Sequence, residues 1–239
     1  MGGLGNQLFQ YAMGRSLAVK KGVPLVLDAR KVLLKGAHTG LAIDAFNICA
    51  EVVDSASGET FPAWKWKLSR ALRQHVRPML GYYHETEFGY DAKVGNQPAE
   101  MCYSGFWQSY KYIDPTPNLL SELSLKYPFT QQQLDIVAQM SATNSVAIHV
   151  RRGDYLNDPK SLAKHGVCSL GYYRDAIAKI KEKVINPNFY IFSDDPNWVR
   201  DNLDIGGAVF ISDFGFSPEV DLTLISKCKH QIIANSSFS

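Results

Sequence analysis

The segment "SVAIHVRRGDYL", residues 145–156, ends an apolar run with two adjacent arginines. The run reads as a buried strand, so Arg151 and Arg152 leave it at the carboxyl end. A guanidinium is always charged, and its planar fork matches phosphate or carboxylate oxygens. Successive strand residues point to opposite sides. His149 and Arg151 therefore share one side and Arg152 takes the other. That makes Arg151 the candidate anion ligand and leaves Arg152 to pair with Asp154 or another carboxylate. Surface ion pairs for both arginines are the plain alternative.

A second anion site is offered by the first residues. Gly2, Gly3 and Gly5 let a backbone approach a ligand, and the helix after them presents unpaired N–H groups and a positive dipole end. Asn6 adds an amide. The string is neither G-x-G-x-x-G nor a P-loop, and a helix-capping turn would explain it equally well.

Other polar residues follow apolar runs. Asp194 and Asp195 could hold a divalent cation under a diphosphate. Asp195 before Pro196 is also a helix start, which favours a cap for Asp195 and a ligand or structural role for Asp194. Asn235, Ser236 and Ser237 could donate to phosphate, or form a tight turn. Asp221 falls early in a helix, where a carboxylate suits the dipole.

The elements that must position these groups are legible mainly in the second half. Strands are predicted at 145–150, 188–193, 208–212 and 231–235, with helices at 170–184, 196–203 and 218–229 between them. Short apolar strands alternating with helices predict an α/β fold with a parallel, Rossmann-like sheet, whose ligands bind beyond the strands' carboxyl ends. The first half predicts a helix from the glycines to Gly22, a strand at 23–28, a basic amphipathic helix at 63–80, an aromatic strand leading into a helix at 101–113 and a helix at 130–142. The expected division is 1–144 and 145–239.

The 239 residues carry 25 basic and 23 acidic side chains, a net charge of +2. That excludes a general nucleic-acid binder and makes any anion site local. Four widely spaced cysteines fit free thiols rather than a zinc site or disulfide frame. No apolar run reaches the ~20 residues of a membrane helix, and no signal peptide is visible. A glycine turn opening a helix normally follows a strand, and the chain stops at the turn after 231–235. The expectation is a fragment lacking its first strand and last helices.

Five strings occur in one order: "GGLGNQLFQYAMGRSLA", "GFWQSYKYI", "HVRRGDY", "YIFSDDPNWV" and "DLTLISKCKHQIIANSSFS". Together they resemble the bacterial α-1,2-fucosyltransferases of glycosyltransferase family 11, over nearly the whole chain. Members usually begin with a strand before the glycines and continue past "NSSFS" into a tryptophan-containing stretch; both are absent here.

The resemblance implies a GT-B architecture, two Rossmann-like lobes with a cleft between them, residues 1–144 forming the acceptor side and 145–239 the donor side. It implies inverting transfer of L-fucose from GDP-fucose to the 2-hydroxyl of a galactoside, without a metal or other cofactor. By the same resemblance Arg151 holds the β-phosphate, His149 and Asp221 read guanine, Ser237 binds phosphate, and Asn6 lies near the sugar or diphosphate. Gly5, Arg152, Asp194 and Ser236 complete the expected donor-binding set.

Charge builds on the departing diphosphate, and a fixed guanidinium can stabilise it in place of a metal. The acceptor hydroxyl then needs a base. Asp154 is the catalytic candidate beside Arg151, with Glu85 and Glu87 as alternatives. The partners expected are GDP-fucose and a galactose-containing glycan, with no nucleic acid and no transmembrane segment. The location expected is cytoplasmic; a lipid-linked acceptor, and hence peripheral attachment to the inner membrane face, is left open. A GDP-sugar-binding fragment without transferase activity and a transferase using another nucleotide sugar are the alternatives. An NAD-dependent oxidoreductase ranks last, because no G-x-G-x-x-G follows a strand.

Overall fold

Local signals set most helix ends. Thr130 accepts from the Gln133 N–H at 3.4 Å while Gln133 Oε1 accepts from the Thr130 N–H at 3.0 Å, a reciprocal cap. Ser169 and Asp195 cap two later helices through the N–H groups of Tyr172 and Trp198. Gly22, at φ 66°, ends the first helix in the left-handed region that glycine enters without strain.

The computed structural model describes residues 2–30, 40–54, 81–153 and 166–239. The helix predicted at 63–80 and Asp154 lie outside these. The chain forms two compact units, Met1–Lys126 and Tyr127–Ser239.

In the first unit, α1 (Leu4–Lys21) buries Tyr11, Ala12 and Met13. Two parallel strand pairs accompany it: β1 (Val26–Asp28) with β2 (Glu51–Val53), and β3 (Tyr82–His84) with β4 (Cys102–Ser104). One core cluster joins Tyr11 and Ala12 to Ile43 and Leu119; another joins Met13 to Val94, Trp107 and Tyr112. Leu119 comes from α2 (Pro117–Glu122). The predicted strand at 23–28 is shortened to β1, and the helix start expected near 113 is a 3₁₀ turn at Tyr110–Tyr112.

The second unit is a four-stranded, wholly parallel sheet in the order β7-β6-β5-β8. Its strands are β5 (Asn144–Val150), β6 (Pro187–Ser193), β7 (Val209–Phe210) and β8 (His230–Ile232). The helices are α3 (Gln131–Ala142), α4 (Leu170–Lys183), α5 (Pro196–Asn202) and α6 (Pro218–Lys227).

Strand alternation divides the core. Val146, Ile148 and Val150 pack with Tyr173 and Ile177 of α4 and Val199 of α5. Ala147, Tyr190 and Phe192 pack with Ile136 and Met140 of α3 and Leu224 and Ile225 of α6. The sheet is thus covered on both faces, which is why its strands read as unbroken apolar runs. The α/β class and the parallel sheet of the second half are as the sequence predicts. The strand expected at 208–212 stops at Phe210, because Ile211–Phe214 tightens into a 3₁₀ turn.

Among the described residues no disulfide forms and no helix is long and apolar enough to cross a membrane.

Candidate functional site

The register of β5 on β6 builds the centre of the site. Val150 lies opposite Ser193 in parallel strands, so Arg151 and Arg152 leave the sheet beside Asp194 and Asp195. Asp194 is the hub. Its Oδ1 accepts from the Arg152 N–H at 2.9 Å, its Oδ2 from the Gly153 N–H at 3.0 Å, and Oδ2 also faces Arg151 Nε at 3.3 Å. A Cβ at residue 153 would stand 3.2 Å from Oδ2, so glycine lets the backbone reach the carboxylate. The Arg151 side chain keeps 34% of its surface exposed.

Arg152 turns to a separate partner. Its Nε lies 3.7 Å from Asp195 Oδ2, and its guanidinium carbon stacks 3.8 Å over the Trp198 ring. The other Asp195 oxygen caps α5 through the Trp198 N–H at 3.2 Å. The Trp198 ring covers one face of the guanidinium, while Nε, too far from Asp195 for a hydrogen bond, is buried without a hydrogen-bond partner among the described residues.

β8 flanks β5 on its other side, with Ile232 opposite Ile148. The residues after β8 therefore lie along the same edge as His149. Ser236 Oγ accepts from the Phe238 N–H at 3.2 Å and so serves the turn itself. Ser237 makes no side-chain hydrogen bond among the described residues. His149 is buried, its Nδ1 2.7 Å from Ser239 Oγ and its ring 5.3 Å from that of Phe238. Burial first, and the Arg151 charge second, lower its pKa to about 4, so the ring is neutral at pH 7.

Asp221 lies in the first turn of α6, a helix that begins at the same sheet edge. Its Oδ1 is buried without a hydrogen-bond partner among the described residues. Burial, then the neighbouring Glu219 charge, raises its pKa to about 7. An orphaned buried carboxylate oxygen is expensive and marks a place where a donor would be welcome.

In the first unit Gly5 is buried inside the first turn of α1 rather than in the turn before it. Asn6 Oδ1 accepts from Gln108 Nε2. Gly2, at φ 95°, gives the Asn6 side chain room that a Cβ would take. Gln7 knits this turn together, donating to Gly2 O at 3.1 Å and Gly40 O at 3.0 Å and accepting from the Ile43 N–H at 3.1 Å.

The second unit thus gathers His149, Arg151, Arg152, Asp194, Asp221, Ser236 and Ser237 at one edge, while Gly5 and Asn6 belong to the other unit. Both oxygens of Glu85, an alternative base, accept from the backbone N–H groups of Phe106 at 2.6 Å and Trp107 at 3.1 Å, giving it a supporting role in that loop. Gln7, Gln108, Trp198 and Ser239 escaped the sequence reading. Gln7 alone left a signal, a polar residue on an otherwise apolar helix face.

A parallel sheet whose carboxyl edge carries two adjacent arginines, a neutral buried histidine and an acid whose Oδ1 has no partner among the described residues has the chemistry to suit a multiply polar, anionic ligand. The model of glycosyl transferase family 11 matches residues 1–239, and the chain belongs to that family.

It is 34% identical over 245 residues to an alpha-1,2-colitosyltransferase of Escherichia coli, covering 100% of this chain and 83% of that protein. An O-antigen biosynthesis glycosyltransferase of Escherichia coli is 26% identical over 267 residues, covering 100% of this chain and 86% of its own length. The galactoside alpha-(1,2)-fucosyltransferase 2 of Gorilla gorilla gorilla is 26% identical over 246 residues, covering 100% of this chain but 65% of that protein. No solved structure matches the chain.

Proposed function

We propose that the chain transfers L-fucose from GDP-fucose to the 2-hydroxyl of a galactoside, with inversion at the anomeric carbon. The observation that carries this reading is the Arg151–Asp194 pair at the carboxyl edge of the second sheet, with Nε held at 3.3 Å and a third of the side chain exposed. Anchored through Nε, the guanidinium is oriented before the donor arrives, so stabilising the diphosphate needs little reorganisation. Arg152, stacked on Trp198, adds a second fixed charge.

In this reading the bond from the anomeric carbon to the diphosphate breaks as the acceptor oxygen attacks from the opposite face. Arg151 takes the growing phosphate charge, and Asp154 accepts the acceptor proton. His149 and Asp221 read the base, Ser237 binds phosphate, and Gly5 and Asn6 contribute from the first unit. The two units would act as the lobes of a GT-B enzyme, the first receiving the acceptor. The reading needs no metal. Work on the cytoplasmic side, at the membrane when the acceptor is lipid-linked, fits this chemistry.

A second reading concerns only the donor. A relative of this chain is by name a colitosyltransferase. Colitose is fucose without its 3-hydroxyl, so a single hydroxyl separates the two. Product analysis with a β-galactoside acceptor and either GDP-fucose or a GDP-colitose donor decides between them. A fucosylated product at the 2-position supports the first reading. Turnover of the deoxy sugar alone replaces it, and GDP binding without transfer leaves a donor-binding protein.

A further inference from the structure

Ser239 joins His149 to the turn after β8, and its hydroxyl is the hinge of that contact. The Ala234 N–H donates to Ser239 Oγ at 3.2 Å, and His149 Nδ1 lies 2.7 Å from the same oxygen. A hydroxyl has one hydrogen to give, and a neutral imidazole has one donor and one acceptor. With the backbone N–H already donating to Oγ, the hydroxyl hydrogen finds its acceptor at Nδ1. The opposite assignment, with the proton on Nδ1, would leave that hydrogen without an acceptor among the described residues.

We propose that Ser239 is a positioning residue for His149, donating to Nδ1 so that the ring proton stays on Nε2 and the nitrogen offered to a ligand is a donor. The surroundings agree. The ring packs on Phe238 at 5.3 Å, and the His149 carbonyl is fixed by the Tyr173 hydroxyl at 3.2 Å. The neighbouring charge, just past the end of β5, is the cation Arg151, which opposes a second ring proton. Nε2 has no hydrogen-bond partner among the described residues.

The inference rests on the reading above, which sets His149 against the nucleobase. A fixed N–H donor there selects a base with an acceptor at that point. Guanine presents the carbonyl O6, where adenine presents an amino donor. Ser239, which touches no ligand itself, would thereby set the choice of a guanine over an adenine nucleotide.

The test compares wild-type protein with Ser239→Ala and Ser239→Thr. Ring ¹⁵N spectra of His149 report the tautomer without ligand, and calorimetry reports GDP and ADP affinity. The wild type is expected to carry its proton on Nε2. In Ser239→Ala the Nδ1 resonance should move downfield, towards that of a free lone pair. GDP affinity should fall about five- to tenfold, the size of one hydrogen bond, while ADP affinity holds. Ser239→Thr should restore both.

A wild-type ring protonated on Nδ1 overturns the proposal, as does Ser239→Ala with an unchanged Nδ1 signal and an unchanged GDP-to-ADP ratio. A wild-type protein with the expected tautomer but no preference for GDP keeps the contact and overturns its selective role, together with the guanine reading of His149.

Discussion

Asp194 and Arg151 meet across the ends of two parallel strands, 3.3 Å apart, with the same carboxylate collecting the N–H groups of Arg152 and Gly153. The acid therefore fixes both the direction of the β5 exit and the guanidinium it carries. The proposed transfer would draw on both residues, in different ways.

Arg151→Ala removes the charge and leaves the backbone grip of Asp194 in place. Transfer should fall by ~10²–10³ in kcat, as for other groups that stabilise developing charge. The melting temperature should stay close to wild type. Near-normal turnover would take Arg151 out of the reaction.

Asp194→Asn keeps the shape but weakens three contacts to a charged acceptor. Both activity and stability should drop, the latter by about 2 kcal/mol, measured by urea unfolding beside kcat/KM. Loss of activity with full stability would instead assign Asp194 a direct contact with the ligand.

Two buried groups pull the pH dependence of stability in opposite directions. His149, lowered to about 4, binds fewer protons folded than unfolded between about 4 and the ordinary 6.5, so its contribution rises with pH there. Asp221, raised from 3.8 to about 7, binds more protons folded than unfolded across that window, so its contribution falls with pH. Thermal unfolding across this range should slope upward in Asp221→Asn and downward in His149→Gln, with the wild type between them. Parallel profiles in all three proteins would contradict the burial of both groups.

Glu85→Gln should retain most activity, because the carboxylate is already engaged by the N–H groups of Phe106 and Trp107. Glu85→Ala should cost about 2–3 kcal/mol of stability by stranding those donors, the more so since buried Trp107 holds φ 58°. Abolished turnover in a stable Glu85→Gln protein would restore Glu85 as the base.

Transfer should survive EDTA, since both members of the Asp194–Asp195 pair are turned to arginines and backbone N–H groups. Activity that vanishes with chelator and returns with Mg²⁺ would reassign that pair.

The amino-acid sequence determined what depends on neighbours along the chain. Alternating apolar strands and helices implied the doubly wound second unit, because strands buried on both faces must be apolar throughout. Asp195 with Pro196 marked a helix start, because a cap involves only residues close along the chain. The arginines after β5 were legible as a candidate anion site for the same reason.

Only the tertiary structure decided which groups meet across the sheet. Strand order put β6 and β8 on either side of β5, and that register chose Asp194 for Arg151, Asp195 and Trp198 for Arg152, and Ser239 for His149. It also spent Ser236 on its own turn, drew Gly5 into α1 and grouped α3 with the second sheet. Such pairings join segments far apart in the chain, where each crossover is compatible with several neighbours. The choice is made by the packing of whole faces, which no short string encodes.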